Sequence, residues 1–289
     1  MTRSPHSHFF ESRDRARLHV LVWGGADGSA RGGAPIVLLH GGGANTHWWD
    51  HLASPLSARR PVYALDFRGH GDSEYPASRH VGAFNDDLED LVAWVAREDV
   101  ILIGHSLGAA VALDHASRFP STRALVLVDL ASGGNPETGR RARLALSLRR
   151  TYRSRQDAID RFRFLPESSH VSEALRAAIG AQSVREESDG RFGYKFDPGW
   201  FSLPSRPRPD LMQVRCPTLL VRGSESALLT PGAAEAFVAQ VPSARFLEIP
   251  DSGHHVLVDQ PDRLLAAIED FLARVPDSGP GSPPHFPSD

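Results

Sequence analysis

Cysteine is almost absent from this chain. Its 289 residues include one, Cys216, which excludes an internal disulfide and every multi-cysteine zinc site. Long apolar runs are missing too. No stretch approaches the roughly 18 consecutive apolar residues that mark a membrane-spanning helix, and Met1 to His8 is polar with no apolar segment behind it, so the expectation is a soluble, cytoplasmic protein with no membrane partner. An excess of charge of one sign is lacking as well. The formal net charge is −3 and the sequence pI about 6.5, without the basic surplus of a nucleic-acid binder. What remains, 41% hydrophobic and 23% charged residues, is the composition of a globular chain long enough for one large domain or two small ones.

Short runs rich in Val, Ile and Leu alternate with segments of helical period, the pattern of a parallel sheet with helices on its faces. Strands are predicted at Leu18 to Trp23, Ile36 to His40, Val62 to Asp66, Val100 to Gly104, Ala124 to Asp129, Thr218 to Arg222 and Arg245 to Ile249. A helix is expected over Asn85 to Ala96, with Asp86 and Asp87 near its positive end. Two more open at Pro231, capped by Thr230, and at Pro261. Between Ser132 and Leu211 the rhythm breaks, and this stretch reads as a helical insertion over the sheet, closing with Pro204, Pro207 and Pro209. Within it, residues 140 to 163 hold nine arginines against Asp157 and Asp160, a net of +7 that leaves −10 for the rest of the chain. Most of these arginines read as a solvated face, with one or two available to pair with a substrate carboxylate or phosphate. The expected organisation is a core of residues 1–131 and 211–275, an inserted lid at 132–210 and a flexible tail at 276–289.

The chemistry is concentrated in Gly104-His105-Ser106-Leu107-Gly108, which follows an apolar strand and precedes a helical run. A sharp strand-to-helix turn holds its central serine in a strained conformation. The small flanking residues let neighbouring backbone approach, and the helix N-terminus faces developing negative charge.

Here the chain resembles the α/β-hydrolase superfamily, in particular its lid-bearing serine hydrolases, over about residues 18 to 275. Three further stretches carry the resemblance in the family's order: His40-Gly41-Gly42-Gly43, Asp66-Phe67-Arg68-Gly69-His70-Gly71-Asp72-Ser73, and Ser252-Gly253-His254. The resemblance implies an α/β-hydrolase fold, Ser106 as nucleophile, Gly42 and Leu107 N–H groups as oxyanion donors, His254 rather than His255 as general base, and neither cofactor nor metal. It also implies that Asp66, Arg68, His70 and Asp72 form a structural turn and that His105 packs the elbow.

One part of the family pattern is missing. The register of Arg222-Gly223 and Thr230-Pro231 puts Ala227 where the triad acid is expected, and no Asp occurs between Asp210 and Asp251. Asp129, at the end of the strand after the elbow helix, and Glu225, in the right loop but two residues early, are the candidate substitutes; the third reading is that no functional acid exists. Trp48 and Trp49 beside the oxyanion loop, and Phe162, Phe164, Tyr194, Phe196, Trp200 and Phe201 in the insertion, supply rings for an apolar or aromatic small-molecule substrate. Trp48, Trp200 and Phe201 are the expected pocket residues. The expected reaction is hydrolysis of a carboxylic ester, lactone or thioester. Alternatives are cleavage of a carbon–carbon bond in dicarbonyl-type substrates and a ligand receptor with weakened catalysis.

Overall fold

The computed structural model describes residues 4–24, 33–95, 99–168, 170–204 and 209–275. Ala96, Pro207 and the proposed tail 276–289 lie outside them. Eleven strands are present among the described residues: β1 His6–Glu11, β2 Arg17–Trp23, β3 Ile36–Leu39, β4 Val62–Leu65, β5 Val100–His105, β6 Thr122–Val128, β7 Thr151–Tyr152, β8 Val184–Glu186, β9 Phe192–Tyr194, β10 Thr218–Gly223 and β11 Ala244–Ile249. Nine α-helices accompany them: α1 Asp50–Leu56, α2 Ala83–Val95, α3 Leu107–Arg118, α4 Pro136–Leu146, α5 Arg155–Asp160, α6 Glu173–Gln182, α7 Pro231–Gln240, α8 Val256–Asp259 and α9 Pro261–Ala273.

The main sheet runs β1-β2-β4-β3-β5-β6-β10-β11. Strand β2 is antiparallel to both β1 and β4, and the six strands from β4 to β11 are mutually parallel. Alternate residues serve opposite faces, as a pleat requires. Leu38, Ile101, Ile103, Val126 and Val128 pack with α1 and α9 residues such as Leu52 and Ile268, whereas Leu39, Leu102, Leu125 and Leu127 pack with Leu88 of α2, Val111 of α3 and Phe237 of α7. Both faces are thereby buried, which is why the central strands read as unbroken apolar runs. All seven predicted strands and the three predicted helices are present. Strand β1, on the edge, was not expected. Among the described residues, no helix is long and apolar enough to cross a membrane.

The chain leaves the main sheet after β6 and returns at β10. This excursion is not wholly helical, which corrects the expectation. Besides α4, α5 and α6 it builds a three-stranded antiparallel sheet, β7-β9-β8, whose strands of two or three residues are too short to show a period of two. Caps fix its helices: Asn135, Ser154 and Ser172 side chains accept from the first-turn N–H groups of α4, α5 and α6, each interaction worth about 1 kcal/mol. The excursion is tied to the core near the carboxyl ends of the strands. Asn45 Nδ2 donates to Ser183 Oγ at 3.1 Å, and Gly71 N–H donates to the Lys195 carbonyl at 2.8 Å.

Candidate active site

Every motif singled out above lies at the carboxyl edge of the parallel strands, where open α/β sheets place their ligands. Ser106 stands between β5 and α3 with φ 52° and ψ −110°. That turn exists because its flanks are bare: a Cβ on Gly108 would strike the carbonyls of Leu39 and His40, and one on Gly104 the backbone of Gly108 and Ala109. Leu107 opens α3, so its N–H has no carbonyl a turn earlier within the helix and points out from the positive end of the dipole.

Ser106 Oγ lies 2.9 Å from His254 Nε2, and His254 Nδ1 lies 2.7 Å from Asp129 Oδ1. A carboxylate only accepts, so the proton sits on Nδ1 and Nε2 is left to accept from the serine hydroxyl. Asp129 is wholly buried. Its charge is met by two further donors, the Ser226 hydroxyl on Oδ1 at 2.6 Å and the Gly223 N–H on Oδ2 at 3.0 Å. Glu225 points elsewhere. It is exposed and takes a hydrogen bond from His170 at 2.8 Å, which raises the His170 pKa above its ordinary value. Ser226 and Gly223 were not singled out from the sequence. The available signal was a serine beside Ala227, the vacated acid position.

The neighbouring histidines are structural. His105 is buried and donates from Nε2 to the His254 carbonyl at 3.0 Å, fixing the backbone that carries the proposed base. His255 turns away, donates to the Pro166 carbonyl at 2.9 Å and packs against Trp48 and Phe164. Desolvation by burial holds both rings well below the usual histidine range, so they stay neutral. His40 shapes the glycine loop. Its Nδ1–H binds the Gly41 carbonyl at 2.7 Å while its Nε2 accepts from Phe67 N–H at 3.1 Å. The Gly41 carbonyl and the Gly42 N–H share one planar trans peptide unit, so holding the first makes the second point the opposite way.

A second Ser–His–Asp chain links β1, β2 and the end of β4. Ser7 Oγ lies 2.9 Å from His19 Nε2, and His19 Nδ1 lies 2.7 Å from Asp66. Its setting differs, because Ser7 sits within edge strand β1 and lacks both an elbow and a helix N-terminus. Asp66 also accepts from the N–H groups of Thr46 and Asp72, and buried Arg68 pairs with Asp87 at 2.6 Å. These bonds hold the 66–73 turn together. Among the described residues, two groups bring three potential metal ligands within 4.8 Å, His105/His254/His255 and His19/Asp66/Asp72, and each of these residues also has a protein hydrogen-bond partner.

An open cleft is lined by Gly42, Gly43, Trp48, Phe162, Tyr194 and Phe196. Of the three expected pocket residues, Trp48 lines it. Phe201 lies on the glycine loop, its ring 2.9 Å from where a Gly42 Cβ would be. Trp200 belongs elsewhere: it is buried against Phe84, with ring centroids 4.7 Å apart, in the core cluster of α2 and α3, because a large ring in that gap gains more by filling the core than by facing a cleft.

With this geometry in place, the chain matches the Alpha/beta hydrolase family profile over residues 36–267. The chain belongs to the alpha/beta hydrolase family. It is 29% identical over 278 residues to the 2-(acetamidomethylene)succinate hydrolase of Mesorhizobium japonicum, covering 92% of this chain and 96% of that one. It is 24% identical to the human (lyso)-N-acylphosphatidylethanolamine lipase, over 83% of this chain and 80% of that one. Among solved structures, an alpha/beta hydrolase from Novosphingobium aromaticivorans superposes with a TM-score of 0.80 at 24% identity, covering 95% of this chain and all of that one. As an alpha/beta hydrolase with hydrolases among its relatives, the chain carries the fold that the four motifs imply.

Proposed function

We propose that this alpha/beta hydrolase is a serine hydrolase of carboxylic esters, lactones or thioesters, and that residues 132–210 serve as its lid. The reading rests on one observation, the unbroken chain Ser106 Oγ, His254, Asp129 at 2.9 and 2.7 Å. Ser106 Oγ attacks the carbonyl carbon as His254 Nε2 takes its proton. The oxyanion is met by the Gly42 and Leu107 N–H groups, each such donor being worth about 3 kcal/mol. His254 then gives the proton to the departing alkoxide or thiolate. Water, deprotonated by the same ring, attacks the acyl-Ser106 ester and releases the acid and free Ser106. Asp129 keeps the imidazole in the required tautomer and stabilises the imidazolium. The relatives' names range from hydrolysis of a succinate derivative to lipases, so they support the hydrolytic class and leave the acyl group to the cleft.

The test is labelling by a fluorophosphonate at neutral pH, with the modified peptide mapped. Stoichiometric label on Ser106, lost in Ser106→Ala, is the expected result. An unlabelled wild-type protein would favour the receptor alternative.

A further inference from the structure

The cleft has one chemical asymmetry. Its lining includes three arginines, Arg150, Arg161 and Arg163, and no aspartate or glutamate. The three cations differ in how they are held. Arg161 is paired with the Asp157 carboxylate at 2.7 Å. Arg163 is held by carbonyls, its Nη1 donating to Asp160 and Phe162 oxygens at 2.8 and 2.7 Å, which orients the guanidinium without cancelling its charge. Arg150 has no carboxylate partner among the described residues. The same cleft is lined by Gly42, the proposed oxyanion donor, and by Trp48. Much of the remaining lining is apolar, with residues such as Leu146, Phe162 and Phe196.

A cleft lined by cations and apolar side chains, with no acidic side chain in its lining, attracts a negatively charged ligand by focusing the field, and a guanidinium fork fits a carboxylate through paired N–H bonds. We propose that the substrate carries a carboxylate in addition to the scissile carbonyl, and that Arg150 and Arg163 bind it. This rests on the serine-hydrolase reading for the reaction but not for the binding. Hydrolysis of such a half-ester gives a dicarboxylic acid and an alcohol, with water as the only co-reactant.

Two measurements separate the claims. The first compares the 4-nitrophenyl half-ester of adipic acid with 4-nitrophenyl hexanoate, which has the same chain length without the charge. Wild-type kcat/KM should favour the half-ester by about tenfold or more at low salt, the scale of a charge-assisted pair. Arg150→Gln should lower that preference, and Arg150→Gln/Arg163→Gln should abolish it, mainly through KM. The second is calorimetric titration of the Ser106→Ala protein with adipate, where binding should be saturable, weakened by salt and lost in the double arginine variant. Arg150→Gln, on an exposed side chain, leaves the fold intact for both measurements. Equal turnover of the two esters, or adipate binding unaffected by the arginine changes, overturns the proposal, and inorganic phosphate binding in place of adipate overturns its assignment to a carboxylate. If neither ester is turned over while adipate still binds through the arginines, the Ser106 chemistry fails and the anion site stands.

Discussion

Asp129 holds a backbone conformation that few residues other than glycine adopt, with φ 46°, and it does so where three hydrogen bonds converge on its carboxylate. In the proposed mechanism Asp129, at the end of β6, is the acid, and the β10 loop supports its carboxylate through the Ser226 hydroxyl and the Gly223 N–H. In that reading Ser226 is a positioning residue for Asp129. Asp129→Asn should lower single-turnover acylation by between about 10² and 10⁴, because the amide offers the imidazole an N–H and favours the wrong tautomer. Glu225→Gln should leave the rate unchanged, since that side chain meets His170. A near-wild-type rate in Asp129→Asn would remove Asp129 from the mechanism. Ser226→Ala should lower the single-turnover rate less than Asp129→Asn does, because the carboxylate keeps its bonds to Gly223 N–H and His254. A wild-type rate would leave Ser226 a merely structural role.

At the scale of elements, the site depends on how closely α3 approaches β3. That distance is set by Gly108, where a methyl group would collide with backbone carbonyls that cannot swing aside. Gly108→Ala should therefore cost about 1–3 kcal/mol of overpacking, lower the melting temperature by several degrees, and depress kcat, since α3 carries the Leu107 N–H. Gly232 is the contrast. It lies in α7, where an added methyl group would have nothing within 4 Å, and Gly232→Ala should be neutral or stabilising by up to about 1 kcal/mol. Calorimetry on the pair checks the claim, which fails if both substitutions leave the melting temperature alike.

For the whole molecule, the buried histidines set the response to acid. Burial pushes His70 down to about 3 and His115 to about 4, and lowers His40, His105 and His255 from their ordinary 6.5. Below pH 6.5 the unfolded chain takes up protons on these rings while the native protein does not. Stability therefore rises with pH in this window and is lost as pH falls from 6.5 toward 4. Asp87, pushed up to about 7 by burial, and His170, raised by its bond to Glu225, act in the opposite direction, but they are two groups against five. The melting temperature should drop steadily between pH 6.5 and 4 with net proton uptake on unfolding. A flat or rising profile would show that the rings are not held neutral.

The amino-acid sequence by itself determined whatever is contiguous along the chain. The seven apolar runs, the Gly104 to Gly108 elbow, the glycines after His40 and the Gly253-His254 pair are legible because strand period, turn strain and helix start each act within a few residues. What only the tertiary structure decided depends on which strand ends lie side by side. Placing β6 against β10 brings Asp129 to within 2.7 Å of His254 and puts Ser226 behind it, while the same packing leaves Glu225 facing solvent, although Glu225 lies nearer the expected acid position in sequence. The burial of Trp200 against Phe84, and the meeting of Arg150 and Arg163 on one cleft, likewise depend on how the excursion folds over the main sheet. Hydrogen bonds and charges act through space, so contacts among distant segments exist only once the sheet order is fixed.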